Sequence, residues 1–441
     1  MATSTFATPE LRPIRNLRWW IGGLLFASTA INYIDRQTLS LLAPYLKQDY
    51  HWTNTDYAKL VIAFRLAYSF GQTICGRVID RIGTKRGLTI SVLWYSIVSI
   101  CTSLARGFYS FAGFRFLLGA GESANWPGAT KAVSEWFPKR ERGLAAALFD
   151  SGSSIGGAIA SVLVLAIYFR WGWRPAFVLP GLLGFLWLVV WRRMFYLPKD
   201  HPRISAEERD LIAKEVAELP TQAQRPRLRW RDLLKLPQTW GTIISKTLTD
   251  PVWFFIADWF PTYLHDAKGV SRKSEMIAVV IPFVAADLGN FFGGIASGYL
   301  IKRGWSLGAA RKALVVFGGI GVTLLIPTIF TGNLAVITLL FALATFCYAA
   351  FSTIANVLPS DLFYGESVAS VSGLSGTGAG IGTMIATALI GYFSDAHRSQ
   401  ATHSFDKIII VAGLVPFVGM LLVLALVRNT RATEKNLVRP I

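Results

Sequence analysis

Long uncharged apolar segments recur along almost the whole chain, and short polar or basic segments separate them. Two of the clearest are residues 334–360 and 408–427, which are 27 and 20 residues long and carry no charge. A helical residue rises 1.5 Å and the hydrocarbon core of a bilayer is about 30 Å thick, so each segment can cross a membrane. The pattern predicts twelve such spans, at about 18–43, 57–79, 87–105, 109–133, 143–168, 175–196, 240–264, 276–301, 312–330, 334–357, 368–393 and 407–427.

One long polar segment divides these spans six and six. We expect an N-terminal six-helix bundle over 1–197, a linker over 198–239 and a C-terminal six-helix bundle over 240–441. Within the linker, Ser205 stands three residues before Glu208, which is the spacing of a capping box. The sequence that follows predicts a short amphipathic helix on the cytoplasmic surface.

The composition agrees with a membrane protein. Hydrophobic residue types make up 53 % of the chain and charged types only 16 %, against about 25 % charged in soluble domains. The net charge of +18 is best explained by topology, because Lys and Arg hold loops on the cytoplasmic side, and nucleic-acid binding is not expected. With both termini cytoplasmic, that side has roughly three times as many Lys and Arg as the other. The three cysteines lie in apolar segments and are expected to be packing residues, and we expect no cleavable signal peptide.

The two halves resemble each other. A shift of 226 residues places 134–137 (SEWF) on 360–363 (SDLF), and Gly152 on Gly378. Six spans in each half keep the two repeats in the same orientation, so the halves are related by a pseudo-twofold axis along the membrane normal. Proteins built in this way hold a substrate near the membrane midplane and rock around it. The sequence therefore favours a transporter.

Residues 76–86 (GRVIDRIGTKR) form the connection between spans two and three. Its glycines allow a tight turn and close helix contact, and Asp80 can meet a helix N-terminus or a neighbouring arginine. The segment resembles the G-x-x-x-D-R-x-G-x-x-R/K signature of the major facilitator superfamily. The resemblance implies a conformational latch made by Gly76, Asp80, Arg81 and Gly83. A simple basic turn is the alternative.

Further resemblance lies in INYIDRQTLS of span one, GAGESANWPGATKAVSEWFPKRERG of span four, FDSGSSIGG of span five and TDPVWFFIADWFPTYL of span seven. These segments are similar to the anion:cation symporter family, in particular to its hexuronate and aldonate transporters. The resemblance implies proton-coupled uptake of a sugar acid such as galacturonate, glucuronate or galactonate. It also implies a location in a bacterial inner membrane.

Four ionisable residues lie in the middle of spans one and four: Asp35, Arg36, Arg115 and Glu122. A charge at mid-membrane costs about 2.5–3.5 kcal/mol on insertion scales, so charges kept there usually face a polar cavity and have a function. Arg115 and Glu122 are seven residues apart and therefore share a helix face. Two acids and two bases nearly neutralise each other while no substrate is bound.

This arrangement suggests a mechanism. If Asp35 or Glu122 takes up a proton, its arginine partner is released and can bind a sugar-acid carboxylate in a bidentate manner. The family resemblance implies proton coupling by Asp35 and Glu122, and anion binding or retention of the acids by Arg36 and Arg115. It also implies substrate contacts by Tyr33 and Tyr68. Asp35 is typical of the aldonate branch. The alternative is a buried salt-bridge network that only fixes helix packing.

Five further charged residues in the predicted spans have no assigned role: Arg65, Asp150, Lys246, Asp258 and Asp287. Lys246 is expected near the cytoplasmic end of span seven, with its ammonium group extended towards the interface.

Other functional classes are weaker. A carrier of a different organic anion, or an exporter with the same fold, remains open. A membrane-embedded sensor usually has long cytoplasmic extensions, and an enzyme needs a catalytic or metal-ligand spacing that this sequence lacks. We expect no catalytic residues, no metal and no cofactor other than protons. The expected partners are a small organic anion and the lipid bilayer, and the chain is expected to be a monomer.

Overall fold

The computed structural model describes residues 12–217, 228–264, 268, 272–396 and 405–427. This part of the chain is helical, with fifteen α-helices. They are α1 Leu17–Tyr50, α2 Asn54–Ile82, α3 Thr84–Thr102, α4 Phe108–Glu122, α5 Asn125–Trp136, α6 Arg142–Trp171, α7 Trp173–Met194, α8 Ala206–Ala217, α9 Trp230–Leu233, α10 Pro237–Thr262, α11 Arg272–Lys302, α12 Leu307–Gly321, α13 Leu334–Leu362, α14 Val368–Ala396 and α15 Asp406–Leu426.

All twelve predicted spans correspond to helices, with ends that differ by a few residues. Span four consists of α4 followed by α5, and span nine consists of α12 followed by a 3-10 segment over Val322–Phe330. By length and composition alone, seven helical segments of the described chain are apolar enough to cross a membrane. They are Arg142–Trp171, Trp173–Met194, Val280–Lys302, Leu307–Phe330, Leu334–Leu362, Val368–Ile390 and Asp406–Leu426. The five remaining spans are α1, α2, α3, α4 with α5, and α10, and four of them contain the intramembrane charges described below.

The interruption between α4 and α5 has a local cause. Pro127 has no backbone N–H and so cannot bond to the Ser123 carbonyl one turn earlier. Glu122 is the last residue of α4 and lies directly at this interruption.

The apolar cores follow the two halves of the chain. One cluster contains Trp136, Trp187 and Trp191 among residues of the first half, together with Val357 of α13. Two other clusters are built entirely from residues beyond 227. Val357 therefore belongs to the surface on which the halves meet.

The linker packs on the first half through Glu208 of α8. Its carboxylate accepts hydrogen bonds from the backbone N–H groups of Leu17 and Arg18, at 2.9 and 3.0 Å, and forms an ion pair with the Arg18 side chain at 2.8 Å. Ser205 Oγ accepts from the Glu208 N–H at 3.2 Å, so one half of the predicted capping box forms. The Glu208 carboxylate instead caps α1, where a negative charge stabilises a helix N-terminus.

Contacts between the halves concentrate at the end of the bundle where α1 begins and the linker lies, here called the linker end. Helix α2 packs on α14, and α6 packs on α11. About a third of the way along α2 and α14 from the linker end, Thr73 Oγ1 lies 2.7 Å from Thr377 Oγ1. Farther from the linker end than this contact, Arg65 of α2 lies over the Phe254 ring of α10, with 5.3 Å from Cζ to the ring centroid.

Candidate functional site

An ion pair between α1 and α4 lies at the polar centre of the first half. Arg36 Nε donates to Glu122 Oε2 at 2.5 Å. The Glu122 side chain is fully buried, whereas 17 % of the Arg36 side chain is exposed. Arg36 is thus the member of the pair that a solute can reach.

Aromatic rings surround the Arg36 guanidinium. Its Cζ lies 4.3 Å from the Tyr68 ring centroid, 5.0 Å from that of Tyr33 and 5.2 Å from that of Phe64. The face of an aromatic ring attracts a cation, so these rings hold the guanidinium in place. Nε donates to Glu122, and Nη2 has no acceptor within the described chain. Tyr33 and Tyr68, both predicted to contact substrate, lie within this group.

Asp35 lies behind Arg36 and is buried. Ser99 Oγ of α3 lies 3.0 Å from Asp35 Oδ1 and 2.9 Å from the Phe177 carbonyl oxygen of α7. While Asp35 is ionised, the single Ser99 proton is shared between these two acceptors, and a protonated Asp35 can instead donate to Ser99 Oγ. The contact therefore accommodates both protonation states of Asp35.

Arg115 is buried and its Nε and Nη1 have no hydrogen-bond acceptor within the described chain. Its Cζ lies 4.8 Å from the Phe64 ring centroid, so Phe64 contacts both arginines. Glu122 Oε1 is also without a donor in the described chain. Buried polar atoms are normally paired, so these atoms mark a place for water or a ligand.

A second charged cluster lies on the other half, around Lys246 of α10. Lys246 Nζ donates to Asn356 Oδ1 of α13 at 2.8 Å and forms an ion pair with Asp250 Oδ2 at 3.1 Å. Only 9 % of Lys246 is exposed. The prediction that its ammonium group extends to the membrane interface is wrong, because Asn356 and Asp250 hold it within the bundle.

Asp150 of α6 and Asp287 of α11 extend this cluster across the two halves. Asp150 has Lys246, Asp250 and Asp287 as charged neighbours. Ser154, one turn after Asp150, donates from Oγ to Asp287 Oδ1 at 2.8 Å. The Asp258 side chain lies outside the described residues.

Two tyrosines are neighbours of both charged clusters. Tyr33 has Arg36 and Glu122 of the first cluster and Asp150 of the second as charged neighbours. Tyr348 of α13 has Asp250, Asp150 and Tyr33 as neighbours. The arginine cluster and the Lys246 cluster therefore border one region between the halves.

The predicted latch residue Asp80 lies between the halves at the linker end. Its carboxylate forms an ion pair with Lys131 of α5 at 2.9 Å. It also accepts from the backbone N–H groups of Ala369 and Ser370, at 3.3 and 2.7 Å, in the first turn of α14. A carboxylate is stabilised at a helix N-terminus, so Asp80 joins α2 of one half to α14 of the other.

The other three predicted latch residues differ in their surroundings. A Cβ atom at Gly76 would come within 2.1 Å of the Ala369 carbonyl oxygen, so only glycine allows this approach of α2 to α14. Gly83 has φ +86°, which favours glycine in the turn between α2 and α3. Arg81 is exposed.

An ion triad near this latch was not predicted from the sequence. Arg142 Nη1 of the first half lies 3.1 Å from Asp361 Oδ1, and Arg311 Nε of α12 lies 2.7 Å from Asp361 Oδ2. Arg311 also donates from Nη2 to the Lys139 carbonyl at 2.9 Å, which is a second contact with the first half. The repeat that places 134–137 on 360–363 was the available signal.

Comparison with known proteins gives concordant matches. Residues 25–377 match the family model described as Major Facilitator Superfamily. The chain is 29 % identical to the hexuronate transporter of Escherichia coli K12 over 96 % of this chain and 97 % of that protein. It is also 29 % identical to the probable galactarate/D-glucarate transporter GarP of the same organism, over 95 % and 96 %. The fold resembles that of the proton:xylose symporter XylE, with a TM-score of 0.71 at 14 % identity over 93 % of this chain and 96 % of that one.

Proposed function

The chain belongs to the Major Facilitator Superfamily, and on that premise we propose that it imports a sugar acid together with protons. It is a multi-pass membrane transporter, related to bacterial sugar acid transporters, and not an enzyme. The substrate we propose is a galacturonate-, glucuronate- or galactonate-like anion. The membrane we propose is a bacterial inner membrane, with the linker end on the cytoplasmic side.

The Arg36–Glu122 ion pair is the observation that carries this proposal. Arg36 is partly accessible, while Glu122 is buried and its second oxygen is unpaired in the described chain. Protonation of Glu122 removes the charge that Arg36 neutralises, and the Arg36 guanidinium then donates to a substrate carboxylate in place of Glu122. A proton and an anion thereby enter together, and no net charge is added to this part of the membrane.

Asp35 supports a second protonation step in the same half. Its hydrogen bond with Ser99 accommodates either the ionised or the protonated carboxyl group. Proton binding and anion binding become reciprocally linked when each stabilises the same conformation. We propose that Asp35 and Glu122 couple protons, that Arg36 and Arg115 attract the anion, and that Tyr33 and Tyr68 contact its hydroxyl groups.

Reconstituted liposomes test the function directly. Uptake of labelled galacturonate, glucuronate and galactonate is measured with an inward proton gradient, with and without a protonophore. The proposal expects accumulation of at least one of these acids that the protonophore abolishes. No uptake of any of the three by protein with a cooperative thermal transition contradicts it.

A further inference from the structure

The two charged clusters border the same region with opposite signs. We propose that they select an acid with one carboxylate and a neutral, hydroxylated far end, and that they disfavour an acid with a carboxylate at both ends. This inference rests on the proposed function and narrows its substrate class.

The first cluster supplies the positive end of the site. Arg36 is accessible and its charge is freed when Glu122 is protonated. Arg115 adds a buried guanidinium with two N–H positions that no described residue accepts. Because both arginines belong to one cluster, one substrate carboxylate satisfies this end of the site.

The second cluster supplies an end in which carboxylates predominate. Asp150, Asp250 and Asp287 stand against the single ammonium group of Lys246. Lys246 is already held by Asp250 and by Asn356. Even with Arg65 included, whose guanidinium lies over Phe254, three carboxyl groups face two cations.

The chemistry of the substrate's far end decides how it meets this cluster. A hydroxyl group donates to a carboxylate and accepts from an ammonium group, so it can bond to Asp150 and to Lys246 alike. A second carboxylate has no proton to donate, and each aspartate of this cluster that is ionised repels it. Tyr33 and Tyr348 are neighbours of both clusters, which places the far end of a bound sugar acid near Asp150.

Galactonate and galactarate form a matched pair of ligands, because they differ only in whether the far end is a hydroxymethyl group or a carboxylate. Each is used to compete with labelled galacturonate or galactonate in counterflow without a proton gradient. We expect galactarate to compete about tenfold less well than galactonate, since like charges facing each other oppose binding.

The variants Asp150→Asn and Asp287→Asn test the origin of this difference. Each removes one negative charge, and an asparagine at 287 can still accept from Ser154. The measured quantity is the half-inhibitory concentration of galactarate divided by that of galactonate. We expect either variant to lower this ratio at least threefold. Asp49→Asn, an exposed position at the other end of α1, is the matched control and leaves the ratio unchanged.

The outcomes separate the two proposals. Counterflow of galacturonate or galactonate supports the proposed function, whatever galactarate does. Equal competition by galactarate and galactonate overturns the selectivity inference alone, and so does a ratio that neither variant changes although both fold and exchange. Absence of counterflow with labelled galacturonate, glucuronate and galactonate overturns the proposed function and this inference with it.

Discussion

At the scale of single residues, Glu122 is the group on which coupling depends. It is fully buried and bonded to Arg36, so a proton on its carboxyl group changes the state of the arginine directly. Glu122→Gln mimics the protonated form, and we expect it to abolish gradient-driven uptake while counterflow of the same substrate persists. Transport by reconstituted protein, in both modes, is the measurement. Glu207→Gln, on the exposed side of α8, is the control, and gradient-driven uptake by Glu122→Gln at the unmodified rate contradicts the assigned role.

Arg36 allows a test of how the anion is held. Arg36→Lys keeps the positive charge but loses the planar fork that binds a carboxylate with two parallel hydrogen bonds and stacks on Tyr33 and Tyr68. We expect the half-saturating substrate concentration in counterflow to rise about tenfold, with protein yield unchanged. Arg106→Lys, at an exposed position without an assigned role, serves as control. An unchanged half-saturation in Arg36→Lys places the anion elsewhere.

Some residues of the site are predictable from the sequence and others are not. Four residues are predictable because a charge within an apolar span is costly and is usually kept for a function. They are Asp35, Arg36, Arg115 and Glu122. Ser99 does not stand out, since a serine in a membrane helix is common and only the three-dimensional packing brings it to Asp35. The buried position of Lys246 could not be predicted from the sequence either, because its partner Asn356 lies 110 residues away in an uncharged segment.

At the scale of helices, the approach of α2 to α14 depends on Gly76. A methyl group there would come within 2.1 Å of the Ala369 carbonyl oxygen, so Gly76→Ala forces the linker ends of the halves apart. We expect spin labels at the exposed positions Arg86 and Arg303 to show a longer mean distance in this variant. Gly113→Ala is the matched control, because nothing lies within 4 Å of a Cβ atom at that glycine. An identical distance distribution in the two variants contradicts a role of Gly76 in closure.

The docking of the linker depends on pH through His201. Its Nε2 lies 3.0 Å from the Met194 carbonyl, and its Nδ1 accepts from the Arg203 N–H at 3.0 Å, which requires the neutral ring. Burial, opposed by the bond to Met194 and assisted by nearby Arg203 and Lys85, lowers the pKa of His201 below 6.5.

The lowered pKa determines the direction in which linker docking changes with pH. At a pH above 6.5 the ring is neutral in the docked and undocked linker alike, and as the pH falls below 6.5 the undocked form takes up the proton more readily. We therefore expect amide exchange at Arg203 to accelerate between pH 7.5 and 5.5, after correction for the intrinsic rate. His201→Gln should remove this extra acceleration, and His51→Gln, at an exposed position, should keep it. Equal acceleration in all three proteins contradicts the assignment.

Helix boundaries show what local sequence controls. The apolar runs predicted all twelve spans to within a few residues, because the bilayer requires a minimum length of apolar helix. The interruption after Glu122 also has a local origin, since Pro127 removes a hydrogen bond. The use of Glu208 to cap α1 was not predictable, because the two groups are 191 residues apart and Ser205 offered a local partner.

At the scale of the whole molecule, two separate polar contacts join the halves at the linker end. Asp80 bonds to the first turn of α14, and Asp361 lies between Arg142 and Arg311. One acid comes from each half, but the two are not equivalent in the internal repeat, which places Glu135 on Asp361. The duplication therefore does not make the closure symmetric: a helix N-terminus holds Asp80, whereas two arginines hold Asp361. The charged groups between the halves are also unequal, with Arg36 and Arg115 on the first half and Lys246 with Asp250 and Asp287 on the second.

If transport requires this end to open, a covalent bond between the halves must stop it. Thr73 and Thr377 are suitable positions, because their hydroxyl oxygens lie 2.7 Å apart in the part of α2 and α14 nearer the linker end. In a background with Cys75→Ser, which prevents pairing with that native thiol, Thr73→Cys with Thr377→Cys should form a disulfide under a membrane-permeant oxidant. We expect oxidation to reduce uptake more than tenfold, and a reductant to restore it. Each single cysteine variant should be insensitive to the oxidant. Uptake that continues after quantitative cross-linking means that the halves do not separate along α2 and α14 during transport.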